Sequence, residues 1–147
     1  MGAGGTRRGY QGGVTDMADL NGVWRLVEER ATDAQGQRVP PRFGTQGKGL
    51  VQIWAETPNN GRMMAVLVDN KARLPPGTPR EYNSYCGAWT FDGETLVTKV
   101  DAALPALLGT EQVRLVKWEG ERLVLSPPPM QRAGASIARE LVWERVG

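Results

Sequence analysis

The chain has 147 residues, 40% of them hydrophobic and 23% charged, and a formal net charge of +2. That is the composition of one ordinary globular domain, large enough to bury roughly 70% of its unfolded surface without staples. The basic residues form no stripe of the kind that binds nucleic acid, and no apolar run approaches the ~20 residues of a membrane span.

Histidine is absent and Cys86 is the single cysteine. A Ser-His-Asp or Cys-His mechanism is therefore excluded, and a zinc or copper site has lost its usual donors. No intrachain disulfide can form, which fits a reducing compartment and gives the expectation of a cytoplasmic protein. No metal and no cofactor are expected.

Residues 1–19 read as a disordered or artificially added segment. The stretch 1–16 is rich in Gly and Arg and nearly free of aliphatics, too little to bury an ordered core. Met1-Gly2 with Thr6 fits the loose myristoylation pattern, but a short motif in a Gly-rich start is weak evidence. Met17 offers an alternative start. Residues 20–147 form the expected domain.

From there the chain alternates in the manner of strands. The first runs over about 22–31 and opens with Gly22-Val23-Trp24-Arg25-Leu26-Val27. A Pro-interrupted loop over 39–44 follows. The second strand, Gly49 to Ala55, and the third, Arg62 to Asp69, flank an Asn59-Asn60-Gly61 hairpin signal. Residues 70–80 hold too much proline for a regular element. The fourth strand, Tyr82 to Phe91, turns at Asp92-Gly93 into the fifth, Thr95 to about Ala102.

An apolar connection over 104–109 is a candidate helical turn plugging one end. The sixth strand, Glu111 to Trp118, turns at Glu119-Gly120 into the seventh, Arg122 to Leu125. Pro127-Pro128-Pro129 ends that strand, and a loose loop leads to the eighth, Ala138 to Val146. This predicts an all-β, eight-stranded antiparallel up-and-down barrel whose first and last strands meet.

Several of these pieces occur together in one known family. They are Gly22 to Leu26, Pro41-Arg42-Phe43-Gly44, Gly61-Arg62-Met63, Tyr85-Cys86-Gly87-Ala88-Trp89, Gly109 to Arg114 and Leu141 to Arg145. In this order they resemble the bacterial lipocalin-like domain family, a calycin-type small barrel, over about residues 20–146. The resemblance implies a β-barrel with an internal cavity. One departure is that the family often carries histidine in the fifth strand, where this chain has Thr98-Lys99.

In such a barrel Trp24 plugs the closed end, with an arginine of the last strand over its face: Arg145 is the expected partner and Arg139 the second choice. Strict alternation puts Trp24, Leu26, Glu28 and Arg30 on one face. Glu28 then points into the lumen, where Arg114 is its expected partner; the alternative is that both lie outside as a solvated pair. The fourth strand gathers Tyr85, Gly87, Trp89 and Phe91 on one face, either as a cavity wall spaced by the glycine or as a packed aromatic core. Cys86 falls on the other face and is expected to be inert. Met64 is a candidate for a pocket wall, with ordinary core packing as the alternative.

The expected function is binding of a small hydrophobic or amphipathic molecule among Glu28, Trp54, Met64, Tyr85, Trp89 and Arg114. The alternative is a cofactor-free isomerase, hydratase or cyclase in the same cavity, with Glu28, Tyr85 or Lys99 moving protons. A homodimer is an open option.

Overall fold

A computed structural model describes residues 17–57 and 60–147. The stretch 1–16 and Pro58-Asn59 of the expected hairpin lie outside the described residues. A 3-10 helix, Met17–Leu20, leads into strand β1 (Gly22–Thr32). Strands β2 (Gly47–Ala55), β3 (Gly61–Asp69), β4 (Tyr82–Phe91), β5 (Thr95–Ala103), β6 (Glu111–Glu119) and β7 (Arg122–Ser126) follow. A short β8 (Met130–Arg132) and a long β9 (Ala135–Arg145) complete the chain.

Each of β1 to β7 pairs antiparallel with its sequence neighbour, β7 pairs with β9, and β9 returns to β1. The eight long strands thus close a barrel, as the sequence predicts. The addition is β8, which pairs only with the start of β9. The expected loose loop is a hairpin there, turned by Ala133 and Gly134 with φ of 52° and 80°. Two successive positive φ values are what a tight type I′ turn requires.

Alternate connections of an up-and-down barrel fall at the same end. Loops 33–46, 70–81, 104–110 and 127–134 therefore share one end, called the open end below. The tight hairpins around 92–94 and 120–121 share the other with the 3-10 helix. The connection 104–110 is a series of turns at the open end. It does not plug the barrel, because Leu104 and Leu108 are exposed and only Leu107 packs against the core.

The closed end is built around Trp24, which is fully buried. Its indole Nε1 donates to the Leu20 carbonyl at 3.0 Å, tying the 3-10 helix across the end. The Arg145 guanidinium carbon lies 4.2 Å from the ring centroid, and that guanidinium also donates to the carbonyls of Asn21 and Asp19. Trp118 packs against the same indole in a tilted arrangement, centroid to centroid at 5.9 Å. The expected plug of Trp24 and Arg145 is present, whereas Arg139 sits at the far end of β9.

Trp24→Ala removes this whole arrangement. It is expected to cost about 3–5 kcal/mol, the range for a large aromatic lost from a core, as read from urea midpoints. An unchanged midpoint would show that the closed end does not depend on the indole.

Candidate functional site

Two β-bulges decide which side chains face the lumen. In β1, Leu26 pairs with Trp143 but Glu28 pairs with Val142, so one extra residue is inserted at Val27. A bulge of one residue reverses the parity of everything after it. Trp24 and Leu26 face inward, and then Glu29 and Ala31 do, in place of Glu28 and Arg30. The expectation that Glu28 lines the lumen is corrected for this reason. Glu28 is exposed, and its carboxylate lies 3.4 Å from Arg30 on the outer surface, where Arg30 also pairs with Glu119 and Glu140. Hydrogen bonding to Glu119 is the main cause that raises the Arg30 pKa.

Glu29 takes the inward position that the sequence reading gave to its neighbour. Its side chain is 2% exposed and pairs with Arg139 Nε at 2.7 Å, where Arg139 is itself buried. The same carboxylate accepts the backbone N–H groups of Arg42 and Phe43 at 3.1 and 3.2 Å. It therefore holds loop 33–46 over the open end and sets Phe43 into the core.

The second bulge lies in β5, where Cys86 pairs with Ala102 but Gly87 pairs with Val100. Gly87 is needed for this approach, since a Cβ there would collide with the Lys99 carbonyl. Its role is close contact between backbones, not the expected spacing of a cavity wall.

On either side of that bulge β4 keeps its inward face, with Tyr85 and Trp89 both buried. They lie at different levels. Trp89 belongs to the closed end, pressed on Gly61, with its Nε1 donating to the Trp54 and Arg62 carbonyls. It does not line the cavity. Tyr85 does.

Trp54 and Met64 are corrected too: both point outward and are more than half exposed. Ile53 and Met63 face in, because β2 and β3 alternate in the register that buries Val51, Ile53, Ala65 and Leu67. Leu50, Trp54, Met64, Val66 and Tyr82 form a row of exposed apolar side chains on the outer face of β2 to β4. Lys99 is likewise exposed.

Arg114 does face the lumen, on the inward row of β6 with Val116 and Trp118. A cavity of about 30 Å³ lies beside it, with Tyr85, Arg139 and Asn83 on its wall. Loop 33–46 contributes Arg42 and Phe43, and Pro127 comes from loop 127–134. The remaining wall is apolar and includes Val51, Met63, Ala65 and Leu125. At roughly 10–15 Å³ per water, the space holds about two waters.

Burial pushes the Arg114 pKa below its ordinary value, and the charges of Arg139 and Arg42 add to that effect. The neighbouring Tyr85 hydroxyl works against it. Among the described residues no three His, Cys, Asp or Glu gather as metal ligands.

The sequence matches the lipocalin-like domain family over residues 21–146, and the chain belongs to that family. No curated protein matches it in sequence. Among solved structures, a redesigned β-barrel is similar at 13% identity over 89% of this chain and 95% of the other, with a TM-score of 0.44.

The two neighbouring glutamates make a direct test of the bulge. Glu29→Gln leaves Arg139 buried without its counter-charge and is expected to cost about 3–5 kcal/mol. Glu28→Gln removes an exposed contact and is expected to cost about 0–1 kcal/mol. Urea denaturation of the two variants side by side reads the difference, and equal costs would contradict the register.

Proposed function

We propose that the protein binds a small amphipathic molecule at the open end of its barrel. One observation carries this reading: a cavity there joins an apolar wall to a polar group of Arg114 and Tyr85. Sites of this kind hold ligands by apolar burial and orient them by a few fixed polar groups. The preformed space is small, so a ligand larger than its head group must displace side chains. Met63, unbranched and flexible, is on the wall and suits such adjustment.

The enzymatic alternative is weaker on geometric grounds. Of the three side chains considered for proton transfer, Glu28 and Lys99 lie on the outer surface, leaving Tyr85 in the cavity. The carboxylate near the cavity, Glu29, is committed to Arg139 and two backbone N–H groups. That is the setting of a fixed structural anion and not of a general base. A cytoplasmic location remains in keeping with a single cysteine.

Titration with small amphipathic molecules, followed by tryptophan emission and native mass spectrometry, tests the reading. Saturable one-to-one binding with a change in emission is expected, since Trp143 is part of the cavity wall. Ala65→Leu fills the space and is expected to reduce binding at least tenfold, while Val66→Ala, on the outer face, leaves it unchanged. Equal binding by both variants would move the site elsewhere.

A further inference from the structure

Three guanidinium groups surround the cavity, and their counter-charges do not balance. Arg139 is paired with Glu29 at 2.7 Å. Arg42 is paired with Glu81 at 2.9 Å, on the outer side of the loop. Among the described residues no ion pair joins Arg114 to a carboxylate. Its hydrogen bonds go to neutral partners, the Val113 carbonyl at 2.8 Å, Gln112 Oε1 at 3.2 Å and the Tyr85 hydroxyl of β4.

Gln112 is in turn held by Thr110, whose hydroxyl donates to the Leu107 carbonyl. The guanidinium is thus positioned but not neutralised. Arg114 is half-buried; arginine cannot shed its charge by losing a proton in a protein, and a charge drawn out of water without a counter-charge is costly. The cavity wall also carries an unpaired donor. Trp143 is 2% exposed, and its ring N–H has no hydrogen-bond partner among the described residues.

We infer that the cavity is a receptor for one anionic head group, a carboxylate borne on a short apolar body, with Arg114 as the charge that recognises it. This rests on the proposed binding function and deepens it. The stoichiometry follows from the charge balance: one unpaired guanidinium calls for one monoanion. The size agrees, since the two oxygens of a carboxylate take about the space of two waters, which is what the cavity offers.

Carboxylate also matches the planar fork of arginine in a two-point hydrogen bond that an alcohol cannot make. The Tyr85 hydroxyl beside Arg114 can donate to the same head group. The apolar body then lies toward the open end, where Phe43 and Pro127 form part of the wall.

The test compares hexanoate, 1-hexanol, and inorganic chloride and phosphate by calorimetry on the full chain and on Arg114 variants. Hexanoate is expected to bind at least tenfold tighter than hexanol. Arg114→Gln is expected to weaken hexanoate about ten- to a hundredfold, the range for a charged hydrogen bond, and to weaken hexanol much less, so that the preference for hexanoate is lost. Arg114→Lys keeps the charge without the fork and is expected to retain part of the preference.

In the ligand-free protein, Arg114→Met is expected to melt no lower than the parent, because it relieves an unpaired charge. A lower melting temperature would mean that the protein itself satisfies Arg114 and would overturn the inference. Hexanol binding as tightly as hexanoate would overturn it while leaving the proposed binding function standing. Chloride or phosphate matching hexanoate would make this a simple ion site and overturn the amphipathic class. Failure of both organic probes to bind would overturn inference and proposed function together.

Discussion

The Glu29–Arg139 ion pair is the interaction on which the open end depends. Strand β1 pairs with β2 only over Gly22–Arg25, so past Arg25 the wall between the two strands lacks a ladder. Loop 33–46 covers that side of the barrel. It is held there because the Glu29 carboxylate accepts two of its backbone N–H groups while pairing with β9. One buried carboxylate therefore does what a continued strand pairing would do: it joins β1, β9 and the loop, and fixes where Phe43 and Arg42 sit. A pair so deeply buried is no guarantee of stability, but it is a strong constraint on geometry. Removing either partner strands the other.

The two ends of the barrel are built by different physics. At the closed end, indole rings fill space and find backbone carbonyls for their N–H groups: Trp24 with Leu20, Trp89 with Trp54 and Arg62. Gly61 is there because a side chain at that position would occupy the Trp89 ring. The indole donors of Trp24 and Trp89 are thereby satisfied internally. At the open end, charge replaces aromatic packing, and one of the charges is left over. The division explains why the aromatic residues of β4 part company, with Trp89 locked into the closed end and Tyr85 beside Arg114.

Strand order, closure and the Trp24–Arg145 plug were legible in the sequence, because Gly turns punctuate the strands and the end strands carry matched signatures. The placement of Glu28 was not. Its strand contains a bulge, and a bulge has no signature when the inserted residue is an apolar Val27 among other residues of mixed character. A counter-signal did exist: Glu28 and Glu29 are adjacent, so whichever way the parity falls, one of them points inward. The misplacement of Met64 has another cause. Both faces of β3 are apolar, Met63, Ala65 and Leu67 on one and Met64, Val66 and Val68 on the other, so alternation carries no polar marker of the outside. Trp54 was misplaced for a related reason, as an exposed tryptophan is uncommon and an inward one is the natural expectation. Arg114 stayed open between lumen and surface in the sequence, and the available signal was that Val116 and Trp118 share its face and pack on the core.

The corrected register also changes what the lumen can do with charge. Had Glu28 faced Arg114, the two would have cancelled, and the cavity would have offered a neutral hydrogen-bonding wall. With the bulge, the inward carboxylate is displaced by one residue and is taken by Arg139, whose place at the open end of β9 brings it to Glu29 and leaves Arg114 without a carboxylate partner among the described residues. The unpaired cation of the cavity is thus a consequence of a single inserted residue in β1. That links backbone geometry to binding chemistry directly: the same insertion that closes the open end through Glu29 also creates the excess positive charge within it. A carboxylate ligand would complete a balance that the chain supplies at Arg42 and Arg139 and withholds at Arg114.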